Sequence, residues 1–493
     1  MSNSRRLWPV LTCLMVVMLL GAIDQTASAP ALPGIAQEFG GVELMPVIVV
    51  AYLGAATAVM PAYGKLGDRF GRRPLLLIAI ALFAVGAVMA SLAASLPLFI
   101  GARVLQGLGG GGLMLGAQAI IGELVSPRER GRYLGWIGIV YVIAAVGGPL
   151  IGGLVIQTVG WRWIFVGYLP LAVLAFVLAV RTVPRSVPGE RRPFDLIGVL
   201  SLTTLIAAVV VTASLGEYAW AWPAAVVPIG VIVLAAICWI VTAVRAADPV
   251  IPLSLFRDAA FSVPVAVSFL IGIALFGTIS FLPAVLQLGL GVSPVVAGSA
   301  VTIAMAGVIT TMTISGRRIA RTGRYRAFPI AGTAMAAVGL GLFGMLRVDT
   351  PLWAIAIALL ILGAGIGLVM QVMLLAAQNA VAHANLGVAT STVVFLRQVG
   401  ATVGVSVTGA LINLRTVGVP PDEYAQAVAP VFGFGAIVLA LAFLLTLMLP
   451  PRTLRTTAHR DEEPPAPTVT ETETDAAYGR GASRHDREGE RTQ

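Results

Sequence analysis

Asp24 is the one carboxylate in this 493-residue sequence that we place well inside a long apolar stretch. An ionised carboxylate is costly to bury in hydrocarbon, so such a residue normally faces a cavity or a partner and has a functional role. A carboxylate can also take up and release a proton. The sequence therefore makes Asp24 the candidate for proton exchange; the alternative is a structural or water-exposed aspartate near a helix end.

Arg103 and Gln106 are the polar residues best placed to act with Asp24. Because they are three residues apart, they share one face of a helix. Arg103 lies roughly 8 Å from the outer end of its apolar stretch at helical rise, and Asp24 lies at a similar depth in its own. An apolar setting favours the protonated acid and an arginine favours the carboxylate. We therefore expect Arg103 near Asp24 without permanent contact, with Gln106 or water able to lie between them; the alternative is an arginine that extends to the outer interface.

Arg397 lies near the middle of a later apolar stretch, beside Gln398. Its guanidinium could receive an anionic or carbonyl-bearing ligand, or equally pair with helix carbonyls and hold two helices together. Gln106, Gln371 and Arg397 are the candidate residues of a substrate cavity. With Asp24 as the one deep carboxylate, we expect a bias against substrates that carry two positive charges.

Cofactor chemistry has no support in the sequence. There is no phosphate loop of the G-x-x-x-x-G-K-[ST] kind, and the three histidines lack metal-ligand spacing. We expect no catalytic residues, no metal and no cofactor, and hence no enzyme.

Composition indicates a chain that crosses a bilayer many times. It is 58% hydrophobic and 11% charged, which suits membrane-spanning segments better than a soluble core. Fourteen apolar segments approach the length of about 20 residues that a span needs. The formal net charge of +9 sits in short connections and not on one face, which argues against nucleic-acid binding.

The basic residues predict the orientation. Of the 32 Lys and Arg residues, 22 fall in one set of predicted loops and termini and three in the opposite set. Positively charged loops stay in the cytoplasm, so we predict that both termini are cytoplasmic. The most basic early segment is residues 64–73, which we predict to be a short loop between two spans.

Several of these stretches resemble signatures of the major facilitator superfamily. Residues 64–73 resemble its G-x-L-a-D-r-x-G-r-k loop, and residues 98–109 resemble its fourth-helix motif. Residues 23–33, 148–153 and 161–170 resemble motifs of its fourteen-helix drug:proton antiporter group, although Gly167 and Tyr168 depart from the last pattern. In the second of these, generic glycine packing is the alternative.

The resemblance implies roles for particular residues. Asp24 and Arg103 would couple protons. The conformational switch loop would comprise Gly64, Asp68, Arg69, Gly71 and Arg72. The antiporter packing motif would comprise Gly148, Pro149, Gly152 and Gly153.

It also implies an all-α integral membrane protein of two six-helix bundles plus an inserted pair of helices, with 14 transmembrane spans. The bundles would occupy residues 1–181 and 246–450, with the inserted helices in 182–245. Residues 316–324 repeat much of the basic segment 64–73, as two related halves would. Residues 451–493 are polar and charged, and we predict a disordered cytoplasmic tail.

The expected function is proton-coupled export of lipophilic drugs or toxic metabolites by alternating access, as in antibiotic resistance. The protein would act as a monomer in the cell (inner) membrane, driven by the proton gradient, with small lipophilic compounds, protons and lipid as partners. Two alternatives are a transport-dead membrane sensor or scaffold, and an importer-type symporter of the same superfamily.

Replacement of Asp68 tests the proposed switch loop. Asp68→Asn should stall transport without preventing membrane insertion, because one acid among four cations at paired helix ends would stabilise one conformational state. Transport and expression level are measured together in cells. Normal export by a well-expressed variant would contradict this role.

Overall fold

The computed structural model describes residues 3–124, 127–184, 195–214, 226–246, 253–345, 350–381, 386–416 and 423–450, with a few positions between them. The predicted tail, residues 451–493, lies outside the described residues. So do the side chains of Lys65, Asp68, Arg69 and Glu123, although their backbone is helical.

The described residues form helices and no strands. The α-helices in the first part are α1 (Asn3–Ala27), α2 (Leu32–Phe39), α3 (Met45–Phe70), α4 (Arg72–Ser91), α5 (Leu96–Leu124), α6 (Pro127–Thr158), α7 (Arg162–Thr182) and α8 (Leu196–Ser214). The remainder are α9 (Val226–Arg245), α10 (Ala259–Leu290), α11 (Pro294–Thr322), α12 (Ala327–Phe343), α13 (Leu352–Ala380), α14 (Leu386–Thr416) and α15 (Tyr424–Leu447).

Eleven segments of the described chain are long and apolar enough to cross a membrane. Three further apolar helices are shorter, namely Val146–Thr158, Leu196–Val209 and Ala327–Phe343. The protein is thus a multi-pass, all-helical membrane protein with fourteen long helices among its described residues. Fourteen spans and the placement of both termini in the cytoplasm remain predictions.

The first membrane segment is broken next to Asp24. Helix α1 ends at Ala27, a single 3-10 turn follows at Ala29–Ala31, and α2 completes the segment. Pro30 lies in that turn and withholds a backbone N–H, so the helix cannot continue through it unchanged. Pro30 therefore interrupts the helix for a single turn.

The basic segment 64–73 is not the loop that we predicted. Helix α3 continues to Phe70, α4 begins at Arg72, and Gly71 alone separates them, with a φ of 89°. Gly64 and Gly67 lie inside α3 and do not turn the chain. The chain turns at Gly71, whose positive φ is a conformation that suits glycine. Helix α3 therefore continues through the basic residues before it.

Two sets of six helices show the same pattern of packing. In the first set, α1 packs against α5, α6 and α7; α5 packs against α3 and α4; and α4 packs against α7. In the second set, α10 packs against α13, α14 and α15; α13 packs against α11 and α12; and α12 packs against α15. The pairings correspond helix for helix and in chain order.

Helices α8 and α9 lie outside this pattern. They pack against each other, and α8 also contacts α3 and α14, one helix from each set. The Thr203 hydroxyl of α8 donates a hydrogen bond of 2.9 Å to the Ala58 carbonyl of α3. The apolar side chains of α9 are mostly exposed, as suits a helix that faces lipid.

The two sets meet along two helix pairs, α6 with α11 and α3 with α14. At the second pair, the Thr57 and Thr402 hydroxyls lie 2.8 Å apart, and Asn413 donates to the Glu43 carbonyl at 2.8 Å. Gln287 of α10 donates to the Pro30 carbonyl at 3.1 Å. These contacts run from mid-helix to the end opposite the basic segment 64–73.

Glycines bring α10 and α14 into backbone contact. A Cβ atom added at Gly272 would overlap the Arg397 carbonyl oxygen, and one at Gly400 or Gly404 would overlap carbonyls of α10. Lipid offers no hydrophobic driving force between helices, so such close packing supplies much of the association.

The Gly272 contact predicts a stability loss on a one-carbon substitution. Gly272→Ala should destabilise the protein by about 1–3 kcal/mol, because the added methyl must push the Arg397 backbone away. Thermal unfolding in detergent measures the change. Gly433→Ala is the matched control, since a Cβ there meets nothing within 4 Å; equal effects of the two substitutions would contradict the packing argument.

Candidate functional site

Asp24 and Arg103 form a buried ion pair. The Arg103 Nη1 atom donates to Asp24 Oδ1 at 3.0 Å, and the two side chains are 5% and 0% exposed. Gln106 Nε2 also donates to Asp24 Oδ1, at 3.2 Å, while its Oε1 accepts from Arg103 at 2.8 Å. Asp24 and Arg103, which the sequence placed at matching depth, thus form one closed triangle of hydrogen bonds with Gln106.

The contact between Asp24 and Arg103 is direct in this structure. We expected Gln106 or water to be able to lie between the two charges, but Gln106 lies beside both. Helix α4 approaches α5 closely at Gln106. A Cβ added at Gly86 would lie 2.5 Å from the backbone of Gln106.

Aromatic rings surround the Arg103 guanidinium. Its central carbon lies 4.4 Å from the centroid of the Tyr52 ring and 5.6 Å from that of Phe165. Ring faces attract cations, and more strongly where water is excluded. The rings therefore add to the stabilisation that Asp24 and Gln106 give this buried cation.

One oxygen of the Asp24 carboxyl group makes no hydrogen bond. Asp24 Oδ2 is buried and unpartnered, and so is the Tyr168 hydroxyl on α7. Tyr52 and Tyr168 both interact electrostatically with Asp24. Neither hydroxyl makes a hydrogen bond of ordinary geometry with the Asp24 carboxyl group. The carboxyl group is thus fully engaged at one oxygen and free at the other.

Glycines of α6 press against α1 just after Asp24. A Cβ at Gly148 would overlap the Thr26 hydroxyl oxygen, and one at Gly152 would overlap the Ala27 carbonyl. Thr26 in turn donates to the Ala144 carbonyl of α6 at 2.9 Å. This face of the predicted antiporter motif holds the Asp24 segment in place.

The other two residues of the motif face the second set of helices. Pro149 packs against Gly298 of α11, and Gly153 packs against Pro294, where an added Cβ would lie 2.7 Å from the carbonyl oxygen. Residues 148–153 therefore contact both α1 and α11, which places them between the Asp24 site and the boundary of the two helix sets.

A cavity lies beside Arg103, toward helix α2. The space between its lining residues, counting the part open to solvent, is about 510 Å³. Of its lining residues, Arg103 is the only charged one. The other polar side chains are Gln25, Ser28, Tyr52 and Ser280, and the rest are apolar or aromatic.

The residues predicted for a substrate cavity do not line this one. Gln106 is buried in the triangle, Gln371 is exposed on α13, and Arg397 is half-buried on α14. Their role in substrate binding stays a prediction. The same holds for the switch segment, where the side chains of Asp68 and Arg69 lie outside the described residues and Arg72 lies at the start of α4.

A second ion pair lies at the rim of the first helix set. Arg162 donates to Glu38 at 2.9 and 2.6 Å, and Trp161 Nε1 also donates to Glu38, at 2.8 Å. The Trp161 ring meets Phe99 edge to face at 5.4 Å. This exposed pair holds α2 to the start of α7 at the end of the cavity.

Sequence reasoning missed Tyr52, Tyr168 and Glu38. An aromatic residue in an apolar stretch gives no signal of its own, and Glu38 reads as an ordinary residue at a helix end. Tyr168 did carry a signal, because it departs from the antiporter pattern that its neighbours follow.

The fold and the buried ion pair define a multi-pass helical membrane protein with a charged centre, and comparison with known proteins names the family. The sequence model of the Major Facilitator Superfamily matches residues 14–405. The chain belongs to this superfamily of membrane transporters, whose members act on small substrates in a bilayer and are generally not enzymes.

The relatives of this chain include proteins named as transporters and as efflux pumps. An uncharacterized MFS-type transporter of Mycobacterium tuberculosis is 35% identical over 407 residues, which are 82% of this chain and 59% of that protein. The chain thus spans less than two thirds of that relative. The multidrug transporter protein MdtP of Bacillus subtilis is 30% identical over 417 residues, 84% of this chain and 77% of MdtP. The efflux pump FUS6 of Gibberella moniliformis is 30% identical over 426 residues, with coverages of 83% and 75%.

Solved structures share the fold at low identity. A peptide transporter POT in complex with sulfate has a TM-score of 0.66 at 14% identity, covering 89% of this chain and 94% of that one. The xylose transporter XylE from E. coli has a TM-score of 0.62 at 15% identity, with coverages of 92% and 99%.

Removal of Arg103 should expose the cost of the buried carboxylate. In Arg103→Leu, Asp24 would stay buried without its cation, so we expect a loss of about 3–5 kcal/mol when it is charged. The loss should shrink at about pH 5, where the acid can bind a proton instead. Adding Asp24→Asn should recover most of the stability at about pH 8, because the amide is neutral.

Thermal unfolding of the purified protein in detergent at both pH values measures this. Arg162→Leu is the matched control: the Arg162–Glu38 pair is 38% and 43% exposed, and exposed pairs contribute about 0–1 kcal/mol. Equal losses in the two leucine variants would contradict a special cost at Asp24.

Proposed function

We propose that this protein exports small lipophilic compounds in exchange for protons, by alternating access, and that Asp24 carries the proton. One observation carries the proposal: Asp24 is wholly buried in the membrane segment and is held by Arg103 and Gln106 beside a cavity. A buried carboxylate with one engaged and one free oxygen can bind and release a proton without losing its place.

The gradient supplies enough energy for this exchange. A proton that moves through about 100 mV releases about 2.3 kcal/mol, and each pH unit adds about 1.36 kcal/mol. We therefore propose the proton gradient as the energy source, without a cofactor.

Alternating access needs two units that rock against each other. The matched packing of the two helix sets supports two six-helix bundles, within residues 1–181 and 246–450, with α8 and α9 as an inserted pair. Contacts from Thr57–Thr402 at mid-helix to Asn413–Glu43 join the two sets over the half opposite the basic segment. We place the protein in the cell (inner) membrane with both termini in the cytoplasm. In that orientation the joined half faces the outside, and the structure is a state closed to the outside.

The nature of the substrate is supported by the cavity and by the relatives. The cavity is mostly apolar and aromatic, and its one charged residue is Arg103. Multidrug transport and efflux are the named activities of the relatives from Bacillus subtilis and Gibberella moniliformis. We therefore propose lipophilic drugs or toxic metabolites as substrates, with a bias against compounds that carry two positive charges.

Asp24→Asn should abolish proton-coupled export while substrate binding stays measurable, because the amide keeps the size and hydrogen bonding of the side chain but cannot carry the proton. Proton flux in proteoliposomes is measured on addition of lipophilic cations, anions and neutral antibiotics. Asp195→Asn is the matched control, since Asp195 caps the start of α8 through a 2.7 Å bond from Gly198, and asparagine caps equally well.

Loss of proton flux in both variants, or in neither, would contradict the assignment. If Asp24→Asn still moves protons as the wild type does, the carrier is another acid, and Glu123 becomes the candidate.

A further inference from the structure

Two buried polar atoms of the first helix set have no hydrogen-bond partner. They are Asp24 Oδ2 and the Tyr168 hydroxyl. Buried polar atoms nearly always have a hydrogen-bond partner, so each exception calls for an explanation. Here the two exceptions belong to side chains that are near each other on packed helices, α1 and α7.

The Tyr168 ring is fixed in position. It packs against Phe83 with a centroid distance of 5.9 Å and against Phe165 edge to face at 6.0 Å. Phe165 in turn lies against the Arg103 guanidinium. The side chain is 4% exposed, so its hydroxyl has no route to bulk solvent and must find its partner inside the site.

The groups that face Asp24 leave Oδ2 to the tyrosines. Helix α5 brings Arg103 and Gln106, and both bind Oδ1. Helix α3 brings Tyr52, whose ring lies against the guanidinium, and α7 brings Tyr168. Among the described side chains of α6, none is titratable. A proton that binds Asp24 without breaking the triangle therefore binds Oδ2.

We propose that Tyr168 is the hydrogen-bond partner of Asp24 Oδ2 and positions the carboxyl group in both of its protonation states. A hydroxyl group has one donor and two acceptor sites. It can donate to the carboxylate and, after rotation of its O–H, accept from the protonated acid. The terminal torsion of a carboxyl group is soft, so a small rotation of Asp24 completes the bond.

This role deepens the proposed function, since it rests on Asp24 as the group that exchanges protons. It also explains the residue at this position. Phenylalanine would fill the same space between Phe83 and Phe165 but would leave Oδ2 without a partner in either state. Tyr168 is a position where the chain departs from the antiporter pattern, so the motif itself does not supply this hydroxyl.

The test is a titration of Asp24 in the purified full-length protein, without substrate. Infrared difference spectra report the protonated carboxyl group, and the band that disappears in Asp24→Asn identifies Asp24. The titration midpoint is compared among the wild type, Tyr168→Phe and Tyr424→Phe. Tyr424 is the matched control. It is 6% exposed and its hydroxyl is also unpartnered, but this hydroxyl does not interact with a charged group among the described residues.

Tyr168→Phe should move the midpoint to higher pH by about one unit, because the lost hydrogen bond is stronger to the carboxylate than to the neutral acid. The carboxyl band should also shift, and Tyr424→Phe should leave both unchanged. An unchanged midpoint in Tyr168→Phe, or an equal shift in Tyr424→Phe, would overturn the proposal. If Tyr168→Phe does not fold, Tyr168→Met tests the same point, since methionine fills irregular space without a hydroxyl.

The titration separates this proposal from the proposed function. It needs no transport and no substrate. A protein in which Asp24 titrates with the expected shift but no proton flux occurs would contradict export and leave the Tyr168 bond standing. Normal proton-coupled export with no shift in Tyr168→Phe would do the reverse.

Discussion

The buried contact between Asp24 and Arg103 sets the requirements for the rest of the structure. Removing two charges from water is costly, and their attraction compensates only where the geometry is good and the remaining donors are satisfied. Gln106 supplies the second hydrogen bond to Asp24, and the Tyr52 and Phe165 rings face the guanidinium. Asp24 lies on α1, Tyr52 on α3, Arg103 and Gln106 on α5 and Phe165 on α7, so the pair requires these four helices to be held in register.

Small residues provide that register. In lipid, helices associate by close packing and interhelical hydrogen bonds and gain little from hydrophobicity. Gly86 lets α4 approach the backbone of Gln106, and Gly148 lets α6 approach Thr26, two residues from Asp24. Between the helix sets, single hydroxyl and amide hydrogen bonds, such as Thr57–Thr402, accompany close backbone packing at Pro149 and Gly153. Contacts of this size can be exchanged for others, as a transporter that moves between two states requires.

Much of the site could be predicted from the sequence because depth in a membrane can be read along the chain. Asp24 and Arg103 are distant in sequence, but equal distance from the outer end of their stretches placed them together. The interruption at Pro30 agrees with the chemistry of proline, which has no backbone N–H to donate. The continuation of α3 through residues 64–70 was missed, because basic composition was taken as a sign of a loop and the helix has no break before Gly71. Tyr52 and Tyr168 were missed as partners because only the packing of α3 and α7 shows which aromatic rings reach Asp24. Packing of this kind joins residues that lie far apart in the sequence, which no local pattern records.

The central claim is that Asp24 carries the proton that is exchanged for substrate. Proton release measures it most directly: a transported lipophilic compound is added to the purified wild-type protein in unbuffered detergent solution at a pH where Asp24 is protonated, and the pH change is recorded. The account predicts release of about one proton per bound substrate, falling to none at high pH and absent in Asp24→Asn. Saturable binding of the compound to the wild type with no proton release at any pH would contradict it.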